Sequence, residues 1–137
     1  MPPIHGILET ALYVKSPPQA AEFYRRVFGF ETLTESERLV ALDVAGRSVL
    51  LLFLAGATRD PFQTPGGVIP GHGGAGPDHF AFAISAEDVP AWREHLAGAG
   101  VAIESEVTWP GGAVSLYFRD LDQNLAELIT PGFWRTY

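Results

Sequence analysis

Three side chains able to hold a metal ion interrupt apolar, strand-like runs of this sequence: Glu9, His79 and Glu127. Glu9 opens Glu9-Thr-Ala-Leu-Tyr-Val, His79 opens His79-Phe-Ala-Phe-Ala-Ile, and Glu127 lies within Asn124-Leu-Ala-Glu127-Leu-Ile. Alternate side chains of a strand share a face. Glu9 therefore shares a face with Ala11 and Tyr13, His79 with Ala81 and Ala83, and Glu127 with Leu125 and Ile129. A carboxylate among apolar neighbours in a half-buried strand is costly unless it is paired. Two carboxylates and an imidazole can meet that cost together by holding one cation. The alanines beside Glu9 and His79 leave open volume, as a pocket would need. Each residue also has an ordinary reading: a solvent-facing glutamate at Glu9, a satisfied structural histidine at His79, and an ion pair of Glu127 with Arg119. One metal would account for all three.

The elements that must position these residues come as a module written twice, a pattern to look for before any other. Residues 7–14 alternate as a strand. Ser16-Pro17-Pro18 is a helix start, with a hydroxyl cap and proline in the first turn. Ala20, Phe23, Tyr24, Val27 and Phe28 follow at helical spacing as core, and Gly29 fits the C-terminal cap. Residues 31–33, 39–44 and 48–54 read as three strands, with Ala45-Gly46 as the turn between the last two. The pattern then recurs. Residues 79–84 form a strand, Ser85-Ala-Glu-Asp88 and Pro90 start a helix carrying Trp92, and residues 101–107, 113–119 and 124–130 form strands. Trp109, beside Pro110-Gly-Gly, flanks a hairpin.

The expected organisation is one domain over residues 1–137, with modules at about 5–55 and 78–132. Between them, residues 56–78 hold seven glycines and four prolines, the composition of a linker or a loop over a site. Glu9 to Phe30 is 21 positions and His79 to Val101 is 22, so the two copies agree in register. In that register Glu127 corresponds to Leu51. Of the four equivalent slots, Glu9, Leu51, His79 and Glu127, one cannot bind a metal. Positions would remain for water or substrate, as a catalytic metal requires.

Composition narrows the function. The chain has 137 residues, 47% of them hydrophobic, enough for a core at this length. Its net charge is −7 with nine Lys and Arg, which argues against nucleic-acid partners. That charge also disfavours a bulky anionic substrate unless a metal supplies the positive charge. There is no cysteine, so any metal would be held by oxygen and imidazole nitrogen. No apolar run approaches the roughly 20 residues of a membrane span. No basic segment followed by an apolar one marks a signal peptide. A cytoplasmic protein with no membrane partner is the expectation.

The segments Ala21-Glu-Phe-Tyr-Arg-Arg-Val-Phe-Gly-Phe30, Asp78-His79-Phe-Ala-Phe and Tyr117-Phe-Arg-Asp-Leu-Asp-Gln-Asn-Leu-Ala-Glu127, in this order and spacing, carry a family resemblance. The chain resembles the vicinal oxygen chelate superfamily, which includes glyoxalase I, bleomycin resistance proteins, fosfomycin-inactivating enzymes and extradiol dioxygenases. The resemblance covers nearly the whole chain. It implies an α+β fold in which tandem βαβββ modules form a curved mixed sheet around a cleft. It also implies one divalent metal, Zn, Mn, Mg, Ni or Fe, held by Glu9, His79 and Glu127 as first, middle and last ligands. A homodimer is implied as well, and the sequence leaves open whether the ligands meet within one chain or across two.

The chain departs from the better-known branches of that superfamily. Their first ligand is usually His, and here it is Glu9. Extradiol dioxygenases use two His and one carboxylate, the inverse of this set, which disfavours an oxygenase. Leu51 stands where glyoxalase I has a fourth ligand. Ser115-Leu-Tyr117-Phe matches a Ser-x-Tyr-Phe strand of the fosfomycin-inactivating enzymes, but Val107 and Gly111 supply none of the cations those enzymes place around a phosphonate.

The first expectation is therefore a divalent-metal-dependent lyase or isomerase of the glyoxalase type acting on a small oxygen-rich molecule. Glu127 or Glu9 would serve as base, and Tyr117, Ser115 and Tyr13 would line the substrate site. The alternative is a non-catalytic or metal-free module binding a small molecule such as an antibiotic, to which the acidic charge and the aromatic content are suited. Of the remaining histidines, His5 and His95 are expected at the surface and His72 in a solvated loop.

Overall fold

The computed structural model describes all 137 residues, which fall into two compact units, Met1–Gly76 and Pro77–Tyr137. No helix is long and apolar enough to cross a membrane.

The first unit contains β1 (Glu9–Val14), α1 (Pro17–Phe28), β2 (Thr32–Glu35), β3 (Leu39–Val44) and β4 (Ser48–Leu54). They build a four-stranded mixed sheet in the order β1-β4-β3-β2, with β1 parallel to β4 and the remaining pairs antiparallel. Alternation divides the faces as the sequence requires. Leu12, Val14, Val40, Leu42, Leu50 and Leu52 are buried, while Glu9 and Ala11 stay exposed on the other face. The helix packs on β3 and β4, burying Ala20, Ala21, Phe23, Tyr24 and Val27. A Tyr24→Ala truncation would remove the largest fully buried side chain, a class of change that costs about 3–5 kcal/mol. Ser16 stands at the helix N-cap without a side-chain hydrogen bond, so proline in the first turn does most to start this helix. Gly29 ends it in the left-handed conformation at φ 70°.

Residues 56–78 are more ordered than a plain linker. They contain a short antiparallel hairpin of β5 (Phe62–Thr64) and β6 (Gly67–Ile69). The Arg38 guanidinium lies 4.3 Å from the Phe62 ring centroid, a cation–π contact that ties the hairpin to the first sheet.

The second unit repeats the order: β7 (His79–Ala83), a 3-10 turn (Ala86–Asp88), α2 (Val89–Gly98), β8 (Ser105–Thr108), β9 (Val114–Arg119) and β10 (Leu125–Ile129). Its sheet runs β7-β10-β9-β8, with β7 parallel to β10. Leu96, Leu116, Phe118, Ala126 and Leu128 are fully buried. Trp92, expected in the core, is only half-buried. Both units are thus βαβββ modules with mixed sheets, the glyoxalase-like α+β fold expected from the sequence.

Candidate metal centre

The parallel pair β7–β10 sets Leu125 opposite His79 and Ala81 opposite Glu127. His79 and Glu127 are therefore diagonal neighbours on one sheet face, and the methyl group of Ala81 leaves the space between them open. His79 Nε2 lies 3.3 Å from Glu127 Oε2. The imidazole is half exposed, at 51% of its side chain, whereas the carboxylate is buried at 7%.

The other imidazole nitrogen is already committed. His79 Nδ1 lies 3.0 Å from the Leu125 carbonyl oxygen, which can only accept, so Nδ1 carries the proton. Nε2 is the nitrogen left to face the carboxylate. Such a pairing is stable only with a cation or proton between the two groups. Metal-ligating histidines characteristically donate their second N–H to a backbone carbonyl in this way. Two ligands each about 2.0–2.2 Å from one ion stand about 3–3.5 Å apart, a range that includes this separation.

The expected ion pair of Glu127 with Arg119 is not formed. Arg119 faces Leu125 across β9–β10 and instead holds Glu104 through two hydrogen bonds of 2.8 and 3.1 Å. Glu127 faces Tyr117 across the β9–β10 pair. Burial pushes the Tyr117 phenol up; the Ser115 hydroxyl opposes this, and the Glu127 carboxylate adds to it.

Ser115 is fully buried, and its Oγ accepts the Trp109 indole N–H at 2.8 Å. Its hydroxyl oxygen is thus engaged within the protein. Trp109, expected as a hairpin flank, also anchors this buried hydroxyl. Gly111 and Gly112, both at positive φ (100° and 95°), make the turn that returns the chain from Trp109 to β9.

In the first unit Glu9 faces Val49, and Ala11 faces Leu51, on the exposed side of the sheet. The offset repeats that of the second unit, so Leu51 is the equivalent of Glu127 and Glu9 of His79. Tyr13, two positions further along β1, has its hydroxyl 2.8 Å from His72 Nδ1. The His72 ring also packs edge-on to Phe53, 4.8 Å away. The loop holding His72 is pinned by Thr58, whose Oγ1 donates to the His72 carbonyl at 2.8 Å. Gly74 lies so close to Tyr13 that a Cβ would come within 2.7 Å of its ring. His72 is therefore half-buried and fastened to Tyr13, where a solvated loop histidine was expected. His5 and His95 are exposed, as expected.

Of the three sequence-derived ligands, the structure brings His79 and Glu127 together within the second unit, while Glu9 belongs to the first. No group of three or more His, Asp or Glu side chains in the chain is gathered to hold a metal ion.

The model of the glyoxalase/bleomycin resistance protein/dioxygenase superfamily matches residues 6–128. The chain belongs to this superfamily. No curated protein matches it. Among solved structures, lactoylglutathione lyase from Agrobacterium tumefaciens is 32% identical, with a TM-score of 0.88 over 98% of this chain and 99% of that one. An integron cassette protein from the mobile metagenome of the Halifax Harbour sewage outfall is 27% identical, with a TM-score of 0.71 over 93% and 99%. A fosfomycin resistance protein from Listeria monocytogenes, complexed with Mn(II) and sulfate, is 24% identical with a TM-score of 0.69 over 95% and 93%. At that last identity the likeness is one of fold.

Proposed function

We propose that this superfamily member is a divalent-metal-dependent lyase or isomerase of the glyoxalase type, acting on a small oxygen-rich substrate. One observation carries the reading: His79 Nε2 lies 3.3 Å from the buried Glu127 carboxylate, with Nδ1–H already donated to the Leu125 carbonyl. The lactoylglutathione lyase named above, 32% identical over nearly the full chain, supports the reaction class.

His79 and Glu127 would hold the ion, with Glu9 as the third ligand on the strength of its equivalent slot. The donor set of imidazole and carboxylates suits Zn, Mn, Mg, Ni or Fe. Bound there, a divalent ion would act as a Lewis acid toward neighbouring substrate oxygens. The chain's own residues do the rest. Tyr117 faces Glu127 across the strands and lines the substrate side of the site. Ala11 and Ala81 keep their strands clear for a ligand. Glu127 or Glu9 takes the substrate proton as general base. Leu51 leaves the fourth slot to substrate or water. The working form is proposed to be a homodimer, which sedimentation of the purified protein would test.

The metal content of protein purified without chelator tests the central reading. About one divalent ion per chain is expected in the wild type, falling to a small fraction in Glu127→Gln, His79→Gln and Glu9→Gln. Lactoylglutathione lyase activity would then be assayed in metal-loaded and metal-stripped protein. Unchanged metal content in Glu127→Gln would overturn the proposed ligand set. Tight small-molecule binding by metal-free protein with no turnover would favour the binding-module alternative.

A further inference from the structure

The face of the first sheet that carries Glu9 is laid out in rows across β1 and β4. Glu9 stands beside Val49, Ala11 beside Leu51, and Tyr13 beside Phe53. A carboxylate thus marks one end, a small apolar row fills the middle, and two aromatic rings close the other end. The aromatic end also receives a side chain from outside the sheet. His72 Nδ1 lies 2.8 Å from the Tyr13 hydroxyl, and the His72 ring stands edge-on to Phe53.

The glycine-rich loop is shaped to deliver that imidazole. Thr58, fully buried, clasps His72 twice. The His72 N–H donates to the Thr58 carbonyl, and Thr58 Oγ1 donates to the His72 carbonyl, each at 2.8 Å. Glycines on either side of His72 are places of close approach. A Cβ on Gly71 would lie 2.1 Å from the Arg59 carbonyl oxygen, and one on Gly74 would lie 2.7 Å from the Tyr13 ring. Ordering a glycine-rich segment is entropically costly, and here the constraints converge on one side chain.

Acid–base chemistry sets the direction of the pair. An imidazole nitrogen is a better base than a phenol oxygen, so Tyr13 donates to Nδ1 and the His72 proton stands on Nε2. Nε2 makes no hydrogen bond within the chain and is not buried. It is a donor held in place for an acceptor from outside the chain. The Arg59 side chain lies against Gly73 and enters no ion pair, so positive charge borders the same rim.

We propose that His72 is a specificity-determining residue whose Nε2–H binds a carboxylate oxygen at the far end of the substrate. Glu9 and Tyr13 are four residues apart on β1, about 13 Å between Cα atoms. A ligand anchored at Glu9 reaches His72 only if it is elongated, with an apolar middle over Ala11 and Leu51 and an anionic end. The anchoring at Glu9 rests on the proposed metal reading; the Tyr13–His72 pair does not.

Two straight-chain metal chelators test this: the monohydroxamate of octanedioic acid, which ends in a carboxylate, and octanohydroxamate, which ends in a methyl group. Calorimetry would give the Kd of each for the Zn(II)-loaded protein. The acid-ended probe is expected to bind wild type about tenfold more tightly, the effect of a hydrogen bond to a charged acceptor. His72→Phe keeps a ring against Phe53 and should erase the preference. Tyr13→Phe, which releases the imidazole from its hydroxyl, should reduce it. Equal binding of both probes by wild type, or a preference that survives in folded His72→Phe, would overturn the proposal.

A second readout needs no metal. In metal-free protein the His72 ring should carry its proton on Nε2, and hexanoate should shift that nitrogen's resonance. A ring protonated at Nδ1, or a resonance that hexanoate leaves unmoved, would overturn the proposal as well. If wild type binds no Zn(II) yet hexanoate moves the His72 resonance, the metal reading fails and the carboxylate site stands.

Discussion

His79 and Glu127 meet although neither is the other's partner in the sheet register: Leu125 faces His79, Ala81 faces Glu127, and the two functional groups close the diagonal to 3.3 Å. The same diagonal exists in the first unit between Glu9 and Leu51, across Ala11. Duplication has kept the backbone relationship and the small residue that opens it, while the side chain at one corner has become apolar. This is a physical reason to treat Glu9 as the counterpart of His79, and Leu51 as a slot that offers no ligand.

The proposed function makes His79 and Glu127 metal ligands, and stability should then depend on metal. Any ion that binds the folded chain alone stabilises it, by about 2.7 kcal/mol at a concentration one hundred times its Kd. Added Zn(II) or Mn(II) is therefore expected to raise the unfolding midpoint of the wild type, and a chelator to reverse the rise. His79→Ala should remove most of the response. An equal metal-dependent shift in His79→Ala, followed by circular dichroism, would count against the pair as the anchoring ligands.

The turn between β9 and β10 offers a stability test separate from metal. Asp120 Oδ1 accepts the backbone N–H groups of Asp122 and Asn124, each at 2.9 Å, and its Oδ2 accepts the Asn124 amide at 2.9 Å. Asn124 in turn accepts the Asp78 N–H at 2.9 Å, so this turn places both Glu127 and the residue before His79. Within it Gln123 sits at φ 66°, a left-handed conformation that disfavours any residue with a Cβ. Gln123→Gly should relieve that strain, less the extra freedom glycine brings to the unfolded chain, for a net gain of roughly 0.5–1 kcal/mol. Urea denaturation would read the gain. A loss of stability would mean that the Gln123 side chain contributes more than its backbone conformation costs.

Much of this was legible in the residues, and the exceptions have physical causes. Period-two alternation in residues 9–14 and 48–54 and helical spacing from Ala20 to Val27 were strong because each of these elements buries mainly one face. Val101 misled: it is buried, but its N–H donates to the Leu96 carbonyl to close α2, so the strand starts later, at Ser105. The hairpin in residues 62–69 was hidden because its strands are three residues each and expose Phe62, Val68 and Ile69. Trp109 flanks its hairpin, and Val107 and Trp109 alternate onto the face that Ser115 occupies across it. With Gly111-Gly112 as the turn, that register sets the indole beside the Ser115 hydroxyl. The His79 tautomer was beyond the sequence, since it depends on a carbonyl supplied by another strand.

The surface ion pairs of the second unit make a pH-dependent contribution whose sign can be worked out. Glu104 is held by Arg119, and Glu106 by two bonds from Arg93, including Arg93 Nε at 3.0 Å. Hydrogen bonds from these guanidinium groups, aided by their charge, hold both carboxyls below the ordinary value of 4.5. A carboxyl with a depressed folded pKa contributes stability that is present above its unfolded pKa and lost as pH falls through the folded one. The double variant Glu104→Gln/Glu106→Gln should therefore be slightly less stable than wild type at pH 7. The gap should hold down to about pH 5 and close below the ordinary carboxyl range, where a protonated glutamate resembles glutamine. Because the pairs are solvent-exposed, molar salt should shrink the gap at every pH. Urea midpoints of both proteins between pH 3 and pH 7 measure it. A gap that widens on acidification, or that ignores salt, would show that these carboxylates act through packing and not through their charge.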